Sequence, residues 1–270
     1  MAYAKINSVT NDNMAKVSNV AKAALGKIGS IDAPSAAYSN TYSLDFDGSD
    51  DHIVGSSITF DSPGTISWWQ KTKFTGSEVE SAGNFIPFHL STSFYVYMKW
   101  DGSNTVTFVR HSATGNVQGD IDIADEEWHH IVIAWDGGGT GTLNTLSIYV
   151  DGVLDIASGR TASYSAPSGT LKFGSWSATY SSYVIDGYLD ELGIWSSALT
   201  LAEVVQLYNS GEPIDLTEDS GNYASSGDLT GYWRLGDGDT FPTIEDNKGS
   251  NDLTMTNMTS GDIVEDVPTA

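Results

Sequence analysis

Acidic and aromatic side chains are where chemistry in this sequence would have to begin. Asp45, Asp47, Asp50 and Asp51 crowd beside the Asp47-Gly48 turn, and Asp190-Glu191 stand on a late strand. Hard oxygen donors without Cys or His suit Ca²⁺; the competing reading is that Asp47 and Asp51 make Asx turns and Asp190 bonds backbone. Asp120, Asp122 and Asp125 form a second acidic set, and a pair of carboxylates is the working group of glycoside hydrolysis. His129 and His130 are adjacent on an expected strand, so they point to opposite faces and cannot share a metal. Trp176, Tyr180 and Tyr183 lie in the Ser-rich stretch 175–183. Aromatics on such a loop stack on sugars or anchor an interface; the rival reading packs them onto the C-terminal tail. There is no cysteine, which removes disulfides and thiolate chemistry. No Ser-His-Asp order, phosphate loop or metalloprotease helix appears.

The elements that must position these residues are short strands. Twenty-eight glycines and 11% aromatics, with abundant Ser and Thr, favour strands joined by tight turns. Runs at Ser43–Asp47, Thr65–Phe74, Phe94–Trp100, Thr105–His111, Trp128–Trp135, Leu143–Val150 and Tyr188–Trp195 are expected strands. Asp-Gly pairs at 47, 101, 136, 151 and 186 supply turns. This spacing predicts an all-β, two-sheet antiparallel sandwich. One helix is expected after the last strand, capped by Thr200 with Glu203, buried through Leu201, Val204, Val205 and Tyr208, and stopped by Gly211 and Pro213.

Charge divides the chain. Twelve Lys and Arg against 35 Asp and Glu leave −23, which sets nucleic acid and anionic membrane aside as partners. No apolar run approaches the roughly 20 residues of a membrane span. Residues 1–31 carry four Lys against Asp12, a net of +3, so the remainder holds eight basic against 34 acidic residues, −26. Met14, Val17, Ala21, Ala24 and Ile28 make a narrow heptad seam. A basic amphipathic arm, 1–41, with Lys5, Met14, Lys16, Val17, Lys22 and Ile28 as docking or oligomerising residues, therefore precedes a sandwich at 42–210. The polar residues 211–270 then form an extension packing on the sandwich or on a neighbour.

Four phrases in order resemble a laminin-G-like domain of the concanavalin A-like lectin/glucanase superfamily over about 42–210. They are Leu44-Asp45-Phe46-Asp47-Gly48 with Asp51, Ile66-Ser67-Trp68-Trp69, Trp128-His129-His130-Ile131-Val132 running into Ile148-Tyr149-Val150-Asp151-Gly152, and Gly187-Tyr188-Leu189-Asp190-Glu191-Leu192-Gly193-Ile194-Trp195. The resemblance implies a jelly-roll with one concave sheet, with Trp68, Trp69 and Trp128 packed between sheets. It also makes the first and last strands neighbours, which would gather Asp47, Asp51 and Asp190 around calcium. Glucanases of this superfamily place three acids at alternate positions on one strand. Here the set around Asp122 has Asp at its outer positions and falls just before Trp128, where the pattern wants an edge or turn, so a solvated acidic edge is expected and no catalytic residue. The flanks Ala4-Lys5-Ile6-Asn7, Met14 to Val20 and Tyr232 to Pro242 look like segments of tailed-bacteriophage structural proteins. That implies a virion component, assembled in the bacterial cytoplasm, binding other virion proteins and itself. A carbohydrate-binding adhesin for host polysaccharide is the alternative, and a glycoside hydrolase the third.

Overall fold

Strand β8 (Trp128–Trp135) carries the logic of the fold. Ile131, Ile133 and Trp135 point into one apolar cluster, while Val132 and Ala134 point into a second on the other face. A strand buried on both faces must sit mid-sheet with something laid over it. The computed structural model describes residues 38–76, 85–111, 116–137, 144–160, 167–176 and 184–270. Ser39–Ala270 forms one unit. The arm expected at 1–41, with Lys5, Met14, Lys16, Val17, Lys22 and Ile28, lies outside the described residues apart from 38–41, as do Tyr180 and Tyr183.

Around β8, the first sheet takes β1 (Ser43–Asp47), β3 (Gly64–Thr72), β9 (Asn144–Val150), β10 (Val153–Arg160), β12 (Asp186–Trp195) and β16 (Ile263–Val264), in the order β10-β9-β8-β3-β12-β1-β16. β13 (Leu229–Trp233) also pairs with β12. The second sheet comprises β2 (His52–Thr59), β4 (Phe85–Ser91), β5 (Phe94–Trp100), β6 (Thr105–His111), β7 (Asn116–Gln118), β11 (Ser168–Phe173), β14 (Thr243–Ile244) and β15 (Leu253–Thr256), in the order β14-β15-β2-β11-β4-β5-β6-β7. Every pairing is antiparallel. The architecture is the expected all-β sandwich. Leu44, Phe46, Trp68, Phe88, Phe94, Trp135, Phe173 and Trp233 fill the space between the sheets. Gly174 is required there: its φ is +85°, and a Cβ would lie 2.5 Å from the Phe46 ring.

Several expectations are corrected by packing. No boundary falls at 210/211. Residues 211–270 supply β13 to β16, adding strands to both sheets and placing Trp233, Leu253 and Met255 in the central core. Asp186-Gly187 is not a turn but the start of β12, where Gly187 admits the Lys71 carbonyl to 2.2 Å from where a Cβ would stand. Helix α1 (Leu201–Tyr208) has the expected capping box, with the Glu203 amide donating to Thr200 Oγ1 and the Thr200 amide to Glu203 Oε2. Its buried face is Glu203, Val204 and Leu207, however, while Leu201 and Val205 are about half exposed, at 49% and 48%. The rotation follows from Glu203, whose carboxylate accepts from Ser225 Oγ and the Ala224 amide in the loop beneath. Trp68 is in the central core, but Trp69 is buried on the opposite face, its ring 4.9 Å from His130 and 5.8 Å from Tyr208 of α1. Trp128 is not core: it is half-buried, and its Nε1 donates to Asp266 at 2.9 Å.

Candidate functional site

The outer face of the second sheet gathers aromatic and basic side chains. β4, β5 and β6 alternate, sending Phe88, Leu90, Phe94, Val96, Met98 and Val109 inward. The other parity sends Ile86, Tyr97, Val106 and Phe108 outward as an apolar floor, on which Tyr95 and Trp176 pack. Tyr97 and Phe108 stack at 4.9 Å, and Asn116 Nδ2 donates to the Tyr97 hydroxyl at 2.5 Å. Burial pushes the Tyr97 phenol up to about 12, so it stays protonated.

Register sets one residue from each strand side by side across this face. Lys172 of β11 pairs with His89 of β4, His89 with Tyr95 of β5, Tyr95 with Arg110 of β6, and Arg110 with Asn116 of β7. Trp176 closes over the middle of the row, its ring 4.9 Å from His89 and 4.6 Å edge-on from Tyr95. Its position is fixed by the bridge between Ser175 and Val184. His89 is only 8% exposed, and neither ring nitrogen has a hydrogen-bond partner among the described residues. Burial first, and then the Lys172 charge, pull its pKa down to about 4, so the ring is neutral at physiological pH. A buried imidazole with both nitrogens unused normally costs stability. Half-buried Tyr95 and Trp176 leave this face within reach of a ligand.

Trp176 is thus the one residue of the sequence-selected trio that the structure places, and it joins the platform rather than the C-terminal tail. Sequence reasoning missed His89, Tyr95, Arg110 and Lys172. The signal available was the alternation Tyr95-Tyr97-Lys99 against Val106-Phe108-Arg110, with Asp101 of the connecting turn the one acid in 85–111.

The calcium set is only partly assembled. Oxygens of Asp47, Asp50 and Asp51 lie within 4.8 Å of one another. Asp190 is not among them. Asp47 pairs with Asp186, so Asp190 lies four residues further along β12, about 13 Å at 3.3 Å per residue. Its carboxyl is fully buried and accepts from Asn40 Nδ2 at 2.7 Å. Burial and then the neighbouring Glu191 charge hold it well above the usual carboxylate range. Glu191 sits at φ +50° in a bulge of β12 and takes Tyr232 and Arg234 as partners, which ties the bulge to the tail. The three remaining acids are hard donors suited to Ca²⁺, but part of their capacity is already used: Asp51 Oδ2 accepts from the Asp47 amide and Asp47 Oδ1 from the Ser49 amide. Burial raises Asp51 to about 6, the Asp47 amide opposing it.

The other acidic set does not share a strand. Asp120 is exposed after β7, Asp122 accepts from the Thr105 and Ala124 amides, and Asp125 caps a turn and meets His129 Nε2 at 3.0 Å. His129 is held between Asp125 and Asp151, whereas His130 is buried against Trp69.

Two antiparallel sheets of this topology define the lectin-like class of jelly-rolls. The chain belongs to the concanavalin A-like lectin/glucanase superfamily, whose laminin-G-like family profile matches residues 47–205. Among solved structures it is similar to a putative carbohydrate-binding protein from Bacteroides ovatus, at 16% identity and TM-score 0.61, covering 86% of this chain and 62% of that one. It is also similar to a heptameric SAP-like pentraxin from Limulus polyphemus, at 16% identity and TM-score 0.52, covering 83% and 99%. No curated protein matches the sequence.

Proposed function

We propose that this chain is a non-enzymatic glycan-binding module whose ligand lies on the outer face of the second sheet. The observation that carries the reading is the platform of Tyr95 and Trp176 around buried His89, whose ring nitrogens have no hydrogen-bond partner among the described residues. Sugar rings present C–H faces that pack on aromatic rings and hydroxyls that hydrogen-bond a neutral imidazole, which both donates and accepts. The similarity to a putative carbohydrate-binding protein supports the same reading at the level of fold. A glycosidase would need two carboxyl groups flanking the bound bond, and none of the eight strands of the second sheet contains Asp or Glu. A glycan array read with the wild type and with Trp176→Ala tests it. Binding that falls in the variant while the melting curve holds is expected; equal binding by both overturns the platform.

A second proposal concerns where the module acts. The +3 segment at 1–31 ahead of a −26 body, together with the phage-like flanking phrases, supports a virion structural protein. Its basic arm would dock to an acidic partner or a second copy of the chain, leaving the module displayed. Assembly then takes place in the bacterial cytoplasm.

A further inference from the structure

The cations of this chain are distributed unevenly, and the distribution singles out the same face. Seven Lys and Arg side chains are described beyond residue 38. On the first sheet and the tail, Lys71 pairs with Asp266, Lys73 with Asp45, and Arg234 with Glu191 and Asp237, while Lys248 donates to the Ser226 carbonyl. The other three, Lys99, Arg110 and Lys172, form no ion pair among the described residues, and Arg110 Nε is buried without a hydrogen-bond partner. All three belong to the second sheet. Strand parity turns each to the outer face: Lys99 follows Tyr95 and Tyr97, Arg110 follows Val106 and Phe108, and Lys172 lies between inward Leu171 and Phe173.

Chance does not favour this arrangement. A chain with nearly three acids for each base offers most cations a carboxylate, and the first sheet and tail follow that rule. The second sheet has eight strands and not one Asp or Glu. Cations without an ion-pair partner among the described residues, on strands that carry no acid, make a local positive field that survives the body's negative charge, because charges more than about 8–10 Å away are screened at physiological salt. In the cross-strand row, Lys172 and Arg110 are three strand spacings apart, about 14 Å. Tyr95, His89 and Trp176 lie between them. That is a cation at each end of an aromatic floor.

We infer that the glycan bound here is anionic, its acidic groups held by Lys172 and Arg110 while a sugar ring packs on Tyr95 and Trp176. The inference rests on the glycan-binding reading and adds the chemical class. Arg110 supplies a planar fork that matches a carboxylate or sulfate through two hydrogen bonds, and Lys172 supplies a compact charge. A neutral His89 between them adds no repulsion to either. A neutral glycan would leave all three groups as they stand, buried or half-buried and unmatched.

The test measures binding of the full chain to polygalacturonate, to carboxyl-reduced polygalacturonate and to dextran sulfate with neutral dextran as its control. Wild type, Lys172→Gln, Arg110→Gln and Trp176→Ala are compared. The expected result is binding of an acidic polymer at least about tenfold tighter than its neutral counterpart, the loss expected of charge-assisted hydrogen bonds. The uronate and sulfate arms show which acid is read. Each charge variant should erase most of that preference, and Trp176→Ala should weaken both members of a pair. If a charge variant does not fold, the salt dependence of the wild type decides: acidic-polymer affinity must fall between 0.05 and 0.5 M salt, with the neutral polymer unaffected, as about the range over which screening grows. Equal binding of acidic and neutral polymers, unchanged in Lys172→Gln and Arg110→Gln, overturns the inference and leaves the glycan-binding reading in place. Binding of none of the polymers and of no glycan on the array overturns both.

Discussion

Removing residues 211–270 is expected to unfold the sandwich, although their composition is that of a polar extension. The deletion takes β13 from β12, β16 from β1 and the β14–β15 hairpin from β2, so both sheets lose strands. The ordering entropy of the segment goes with it, so the cost is read from what stays behind. Val132, Ala134, Tyr149, Trp195, Leu199, Val204 and Leu207 form the part of the outer cluster that remains, and Leu216, Tyr223, Leu229 and Tyr232 cover them. Fully burying a large apolar side chain contributes about 1.5–3 kcal/mol. Returning half of that burial to water for the six large ones, Ala134 aside, costs about 5–9 kcal/mol. Domains are stable by about 5–15 kcal/mol in all. The central core also loses Trp233, Leu235, Leu253 and Met255, and a single large-to-small change at such a site costs about 2–5 kcal/mol. Circular dichroism of chains 38–210 and 38–270 through a thermal and a urea ramp decides the matter. The longer chain should melt cooperatively and the shorter should show no transition. A cooperative melt of 38–210 within a few degrees of the longer chain would refute the reasoning.

Three further outcomes are expected. At His129, burial lowers the pKa, but Asp151 and Asp125 outweigh it and hold it above 6.5. Its stabilisation is therefore complete below the unfolded value of about 6.5 and lost as pH rises through the raised folded value, so the melting-temperature gap between wild type and His129→Gln should be wide at pH 6 and narrow at pH 9. A constant gap counts against it. At the acidic turn, Asp51 is raised to about 6, so its ionisation above that pH works against the fold. In EDTA, Asp51→Asn should raise the melting temperature at pH 8 and not at pH 4, and calcium should raise that of the wild type alone; identical melts in EDTA and calcium reject the Asp47–Asp50–Asp51 site. Deleting residues 1–31 should leave the melt of Ser39–Ala270 nearly unchanged while abolishing particle incorporation or self-association, which normal incorporation of the truncated chain would contradict.

How far the fold was legible depended on whether a strand's burial was written in its own residues. β1, β5, β6, β8 and β12 alternate or run apolar between turn signals, and their bounds follow from sequence within about two residues. β2 (HIVGSSIT) and β11 (SGTLKF) are strands because each is hydrogen-bonded on both sides, a property of the sheet that no local pattern carries. The tail shows the same limit more strongly. Leu253-Thr-Met-Thr has only two apolar residues, yet both are buried, because the edge of β2 is open to receive them. α1 was found from its capping box, a local device. Its buried face was misplaced because Glu203 belongs inside, bonded to a loop that sequence spacing does not reveal.

The site was less legible than the fold for a related reason. Trp176 stood out because an aromatic in a Ser-rich stretch has no local packing partner. Lys172, His89, Tyr95 and Arg110 did not stand out, because their relation exists only once four strands are in register: they are separated by as many as 83 positions in sequence, from His89 to Lys172, and by one strand spacing in space. Composition did hold a usable clue. In a chain of −23, the stretch from 85 to 111 holds Lys99 and Arg110 against Asp101 alone, a net of +1. A local reversal of charge against so strong a background asks for a reason, and structural ion pairing is not the reason, since its cations have no such partners among the described residues. The acidic clusters drew more attention and explain less. Asp122, Asp125 and Asp151 are spent on amides and on His129, and Asp190 on Asn40, each serving the fold's own polar groups. Carboxylates already engaged by the chain are poor candidates for chemistry on a ligand. Buried imidazole and guanidinium nitrogens without a partner among the described residues, on strands that carry no acid, are better ones.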